Sequence, residues 1–156
     1  MAASVVPALI DALVSTATSA LPSALVTDGV GNTDTAGDYL MVGVSDPDLY
    51  GTGSGMQAAT AQQNQMAFGA TRPRMEQGEI FLAARSVNGD ANQKAARDAV
   101  YAMQEALATA LRTATDLGVT GVMQLSNGAN LLLEQDQMDY GAVATLTYSI
   151  AFTAQI

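Results

Sequence analysis

The last fifteen residues constrain this chain more than any other part of it. Ala142, Ala144, Leu146, Tyr148, Ile150, Phe152, Ala154 and Ile156 alternate with Val143, Thr145, Thr147, Ser149, Ala151, Thr153 and Gln155. A strict period of two puts the sets on opposite faces of one strand, the first apolar and the second at least partly wet. At about 3.3 Å per residue such a strand spans roughly 50 Å. That exceeds the width of a 16.0 kDa globule. The strand therefore belongs to an antiparallel sheet and overruns its own subunit.

Two helices can be read beside it. Val6, Leu9, Ile10, Leu13, Val14, Ala17 and Leu21 recur at helical spacing and predict a helix over residues 4–20. Ser4 is its cap, Pro7 fits its first turn and Pro22 ends it. This stretch is apolar enough to suggest a signal peptide, but it lacks a positive n-region and Asp11 interrupts it, so it reads as part of the folded chain. Ala96, Val100, Met103, Leu107 and Leu111 predict a second helix over residues 91–117, with Asp90 as cap, Gln93 at the capping-box position and Gly118 as its stop.

The remaining strands are predicted over residues 24–28, 38–45, 62–71, 75–87, 119–126 and 130–135. Residues 62–71 and 75–87 pair as a long two-stranded arm around Arg72-Pro73-Arg74. Asn127-Gly128 reads as a hairpin turn, and residues 136–141 as a polar turn. Residues 45–61 form the main projecting loop, long enough to be functional or mobile. Strands in sequential runs interrupted by two helices predict one α+β domain over residues 1–156, a mostly antiparallel sheet with both helices on one face.

Composition narrows the chemistry. The chain has 156 residues, no cysteine and no histidine. Disulfides, thiolate metal sites and the commonest general base are excluded. Six basic against fifteen acidic residues leave a net charge of −9, a poor match to a phosphate backbone. No apolar run is long enough to span a bilayer.

The motifs are weak as catalytic signals. Gly51-Thr-Gly-Ser-Gly55 lacks the P-loop lysine and spacing, so it reads as a loop rather than a phosphate cradle. Asp34, Asp38, Asp46 and Asp48 do not meet calcium-loop spacing and read as solvated carboxylates, as do Glu134, Asp136 and Asp139. Glycoside hydrolysis needs aromatic sugar platforms, and there is no tryptophan. A serine nucleophile would have only Lys94 as base, in the first turn of a helix. The expectation is a non-enzymatic chain with no cofactor and no metal. Arg72 and Arg74 stand out on an acidic chain as candidates for pairing with a neighbour's carboxylates.

Along most of its length the sequence resembles the tail terminator proteins of long-tailed, siphovirus-type bacteriophages of actinobacterial hosts. The resemblance rests on "VVPALIDALVSTATSALP", "LVTDG", "GDYLMVGVSDPD", "ANQKAARDAVYAMQEALATAL" and "DYGAVATLTYSIAFTAQI". It implies a small α+β subunit that assembles as a hexameric ring at the head-proximal end of the tail tube. Such a ring stops tube polymerisation and meets the tail tube protein on one side and the head-completion (stopper) protein on the other. Phage DNA passes through its lumen without specific binding, and the ring has no membrane association. The chain would be made in the bacterial cytoplasm and reside in the virion. Candidate contact residues are Asp46, Asp48, Tyr50, Gly51, Gly53 and Gly55 of the long loop, with Arg72 and Arg74 of the arm. The competing readings are another head–tail connector or tail-tube ring protein, and a small monomeric ligand-binding module.

Overall fold

Two strands of fifteen residues form the spine of the fold. In the computed structural model, which describes residues 3–65, 73–128 and 130–156, the order is α1 (Val6–Ala20), β1 (Leu25–Asp28), β2 (Gly37–Val42), β3 (Ala59–Gln65), β4 (Arg74–Asn88), α2 (Gln93–Thr113), β5 (Val122–Asn127), β6 (Leu132–Met138) and β7 (Gly141–Gln155). β4 and β7 pair antiparallel from Met75↔Gln155 to Asn88↔Ala142. Each carries two collinear short strands on its outer edge. β2 and β3 share the free side of β4, and β6 and β5 share the free side of β7. β1 adds outside β2. The result is an α+β fold with a mostly antiparallel sheet.

Both helices lie on one face of the sheet. Leu9, Leu13 and Ala17 of α1 and Ala96, Val100 and Leu107 of α2 are fully buried against Leu40, Ile80, Leu82, Leu146 and Ile150. Each large aliphatic side chain so buried contributes about 1.5–3 kcal/mol. The alternation of β7 sets this directly, because its even-numbered residues are the ones that meet the helices.

Several local expectations are corrected. Asn127-Gly128 is not a hairpin turn: β5 and β6 do not pair with each other but run end to end along β7. The Gly128 N–H donates to Ser149 O at 2.7 Å and keeps the chain on the β7 edge. A Cβ there would lie 1.8 Å from Ser149 Oγ, so a larger residue would have to displace that hydroxyl. β6 runs on to Met138, so Asp136 stands in a strand and not a turn.

β1 and β2 are parallel, which a short connection permits because four residues need a return of only about 13 Å. β3 and β4 do pair antiparallel, but β7 lies along the other side of the same half of β4 and β5 along the other side of β7, so the sheet there is four strands wide and not two. Its outer part, with Met66, Phe68, Ala70 and Arg72, lies outside the described residues.

The cap of α2 is Asn92, whose Oδ1 accepts the Ala95 N–H at 3.1 Å, and not Asp90. Asn88 Oδ1 takes the N–H groups of Asp90 and Asn92, and Ala91 has a φ of 57°, so the helix cannot begin earlier. The helix ends at Thr113, before the turn that contains Gly118. The second face of β7 is also drier than alternation predicts: Val143, Thr145 and Ser149 are buried. Tyr39 and Val87 pack on Val143, and Arg85 bonds Thr145.

Candidate functional site

The face opposite the helices gathers most of the sequence-predicted site residues, around one residue that sequence reasoning passed over. Arg85 lies on this face of β4, its side chain only 13% exposed. Its Nε donates to Thr145 Oγ1 at 2.9 Å and its Nη2 to Asp48 Oδ1 at 2.6 Å. A longer contact of 3.4 Å joins Nη1 to Thr33 Oγ1. One guanidinium thereby ties the sheet to the two loops that cross it. The only signal in the sequence was a lone cation on the Phe81, Ala83, Arg85 side of an otherwise uncharged strand segment.

The long loop is built from its own residues upward. Asp46 accepts the Asp48 N–H at 3.0 Å and caps a single 3₁₀ turn, Pro47–Leu49. Pro47 is buried, and Met56 packs against Met41, Val44 and Ala83. Both ends of the loop thus fold back onto the sheet. Only its tip projects: Tyr50 is 75% exposed, Gly51 and Gly53 take positive φ, and Gly55 has open space around it. Beside it lies a cavity of ≈ 490 Å³ lined by Val30, Thr33, Met41, Asp48, Tyr50 and Arg85.

Three of the four aspartates expected as solvated loop groups are each used singly. Asp38 accepts from Ser86 Oγ at 2.6 Å, Asp46 caps, and Asp48 pairs with Arg85. No cluster of His, Asp or Glu that could hold a metal occurs among the described residues. Lys94 pairs with Asp98 on the exposed side of α2.

A second buried polar group went unread. Glu76 is 1% exposed. It accepts hydrogen bonds from Ser4 Oγ at 2.6 Å, the Val5 N–H at 2.8 Å and Gln63 Nε2 at 3.2 Å. Burial by itself would raise its pKa. The hydrogen bonds from Ser4, Val5 and Gln63, with the charge of Arg74, outweigh that and hold the carboxyl below its ordinary value. Arg74 is the first residue of β4, its backbone paired with Ile156 in both directions, and does not stand at a free tip. Arg72 lies outside the described residues.

The lower half of the same face is a shallow trough of ≈ 380 Å³ lined by Thr60, Gln62, Gln77, Glu79, Ala151 and Thr153. It is polar, with Glu79 as its charge. Among the described residues the face offers hydroxyl, amide and carboxylate groups, with Ser149 Oγ donating to Glu79 Oε1 at 3.2 Å. Among the described residues no helix is long and apolar enough to cross a membrane. No protein-family model and no curated protein sequence matches this chain.

Proposed function

We propose that this chain is a structural subunit of a phage tail, forming a ring at the head-proximal end of the tail tube that ends tube growth and presents a surface for head joining. The observation that carries this reading is the sheet itself. Its spine is fifteen residues long, and it ends in open edge strands on both sides, β1 and β3 on one and β5 and β6 on the other. A cyclic ring needs two different complementary patches per subunit, and opposite sheet edges are such a pair.

Electrostatics supports the same reading. Lys94, Arg97 and Arg112 sit on α2, on the far side of the sheet, while Arg85 is held by Asp48. The trough of Thr60, Gln62, Gln77 and Thr153 offers no cation among the described residues. A lumen lined by this face repels or ignores a polyanion and lets DNA pass. No bond is made or broken in this function.

The test is the position and copy number of the chain in an electron-microscopy map of a virion. One ring per tail, between tube and head, is expected. A chain repeated along the tube, or absent from the particle, overturns the reading. Retention of the pure protein on a DNA column at physiological salt overturns the lumen assignment.

A further inference from the structure

Among the described residues four strands lie at sheet edges, and two of them are short or bulged. β1 is four residues long and ends in the exposed Asp28. β5 carries a register shift between Val122 and Gln124. Short strands and bulges are among the devices that blunt an edge. β3 and β6 are neither short nor bulged, although β6 carries Glu134 and Asp136 and its Asp136 carbonyl accepts from Gln93 Nε2 at 2.5 Å. Each is a regular strand of seven residues. Thr60, Ala61, Gln62, Gln63 and Asn64 are all exposed, and in β6 only Leu133 is not. β3 also carries no charge, and Leu132 of β6 is 57% exposed.

We infer that β3 of one copy pairs with β6 of a second copy. This rests on the self-association proposed above and adds which strands meet and how. Three features of the sheet define the pairing. First, β3 runs with β7 and β6 runs with β4, so copies facing the same way meet antiparallel, the favoured ladder.

Second, the two strands lie at diagonal corners. β3 flanks residues 74–80 of β4, whereas β6 flanks residues 141–147 of β7, of which 142–147 pair with residues 83–88 of β4. Joining them in the register given below staggers neighbouring copies by eight residues, roughly 26 Å. The stagger also sets β1, which flanks β2 beside the other half of β4, end to end with the neighbour's β6 and not beside it. In a closed ring it becomes strand tilt.

Third, the faces must stay continuous. Thr60 and Gln62 share a face with Glu79 and Gln77, and Glu134 and Asp136 share a face with Thr145 and Val143. Both are the face away from the helices. Opposing Gln62 to Glu134 and Thr60 to Asp136 keeps that face continuous. It also sets an amide and a hydroxyl against carboxylates and brings no like charges together, which matters on a chain of net charge −9.

The cysteine-free chain makes the test direct. Gln62→Cys protein is mixed in turn with Glu134→Cys, Asp136→Cys and Gln135→Cys proteins, all at exposed positions, and oxidised at high concentration. A disulfide-linked dimer is expected with Glu134→Cys or Asp136→Cys, and none with Gln135→Cys or in any variant alone. No mixed dimer, or one only with Gln135→Cys, overturns the pairing. Negative-stain microscopy of the unmodified protein, alone and with tail tubes, reads the ring separately. Rings without the disulfide leave the ring reading standing and remove the pairing. The disulfide with open filaments keeps the pairing and removes the ring.

Discussion

Glu76 Oε2 accepts the Val5 N–H at 2.8 Å, so a carboxylate from the middle of the sequence anchors the residue that opens the first helix. A negative charge at a helix N-terminus is stabilising, and here it also satisfies backbone and hydroxyl donors that would otherwise be buried unpaired. Glu76→Ala strands those donors and is expected to cost about 2–3 kcal/mol. The pH dependence follows from the lowered pKa. The carboxylate's contribution is complete above the unfolded-state value and is lost as pH falls through the folded-state value. Melting curves of wild type and Glu76→Gln should therefore converge as pH falls through the carboxyl's lowered pKa. A constant gap from neutral to acid pH contradicts this.

Arg85 and Asp48 hold the long loop to the sheet. Asp48 is 64% exposed, so the pair itself is worth only about 1 kcal/mol or less. The larger effect is local. Arg85→Gln should raise hydrogen exchange and proteolysis within residues 46–56 while leaving α1 and β7 protected. Unchanged exchange in the loop would show that Pro47 and Met56 suffice to hold it.

Gly78 and Gly55 separate two kinds of glycine. A Cβ on Gly78 would lie 1.9 Å from Thr60 O, a backbone atom of the paired strand. Gly78→Ala must push β3 away from β4 and is expected to cost about 1–3 kcal/mol. Gly55 has nothing within 4 Å, and Gly55→Ala should fall within about 0.5 kcal/mol of wild type. Equal effects in urea titrations would refute the close approach at Gly78.

The Tyr148 hydroxyl is buried and has no hydrogen-bond partner among the described residues. Its burial pushes the phenol pKa up. Tyr148→Phe removes an unsatisfied group with little change of shape and should stabilise the fold by about 1 kcal/mol. A lower melting temperature would show that the hydroxyl has a partner in solution.

Deleting residues 147–156 removes the half of β7 that carries Tyr148, Ile150, Phe152 and Ala154, all core residues, and strips β5 of its pairing. The truncated chain should not fold. A soluble product with a cooperative melt would contradict the central place of β7.

The alternation from Ala142 to Ile156 and the stripes of the two helices were enough to determine the α+β class, the long strand and which side chains meet in the core. Those are local periodicities, written in neighbouring residues and enforced by burial of apolar surface. Apart from the β3–β4 pair, which adjacency in the chain suggests, they gave no hint of which strand lies beside which. Asn127-Gly128 has the composition of a hairpin turn, yet the open edge of β7 holds the chain straight through Gly128. Glu76 and Arg85 looked like ordinary strand residues because their partners, Ser4, Val5, Asp48 and Thr145, are distant in sequence. Only tertiary structure brings those groups together, since hydrogen bonds and ion pairs act over a few ångströms and their geometry exists only once the sheet has formed.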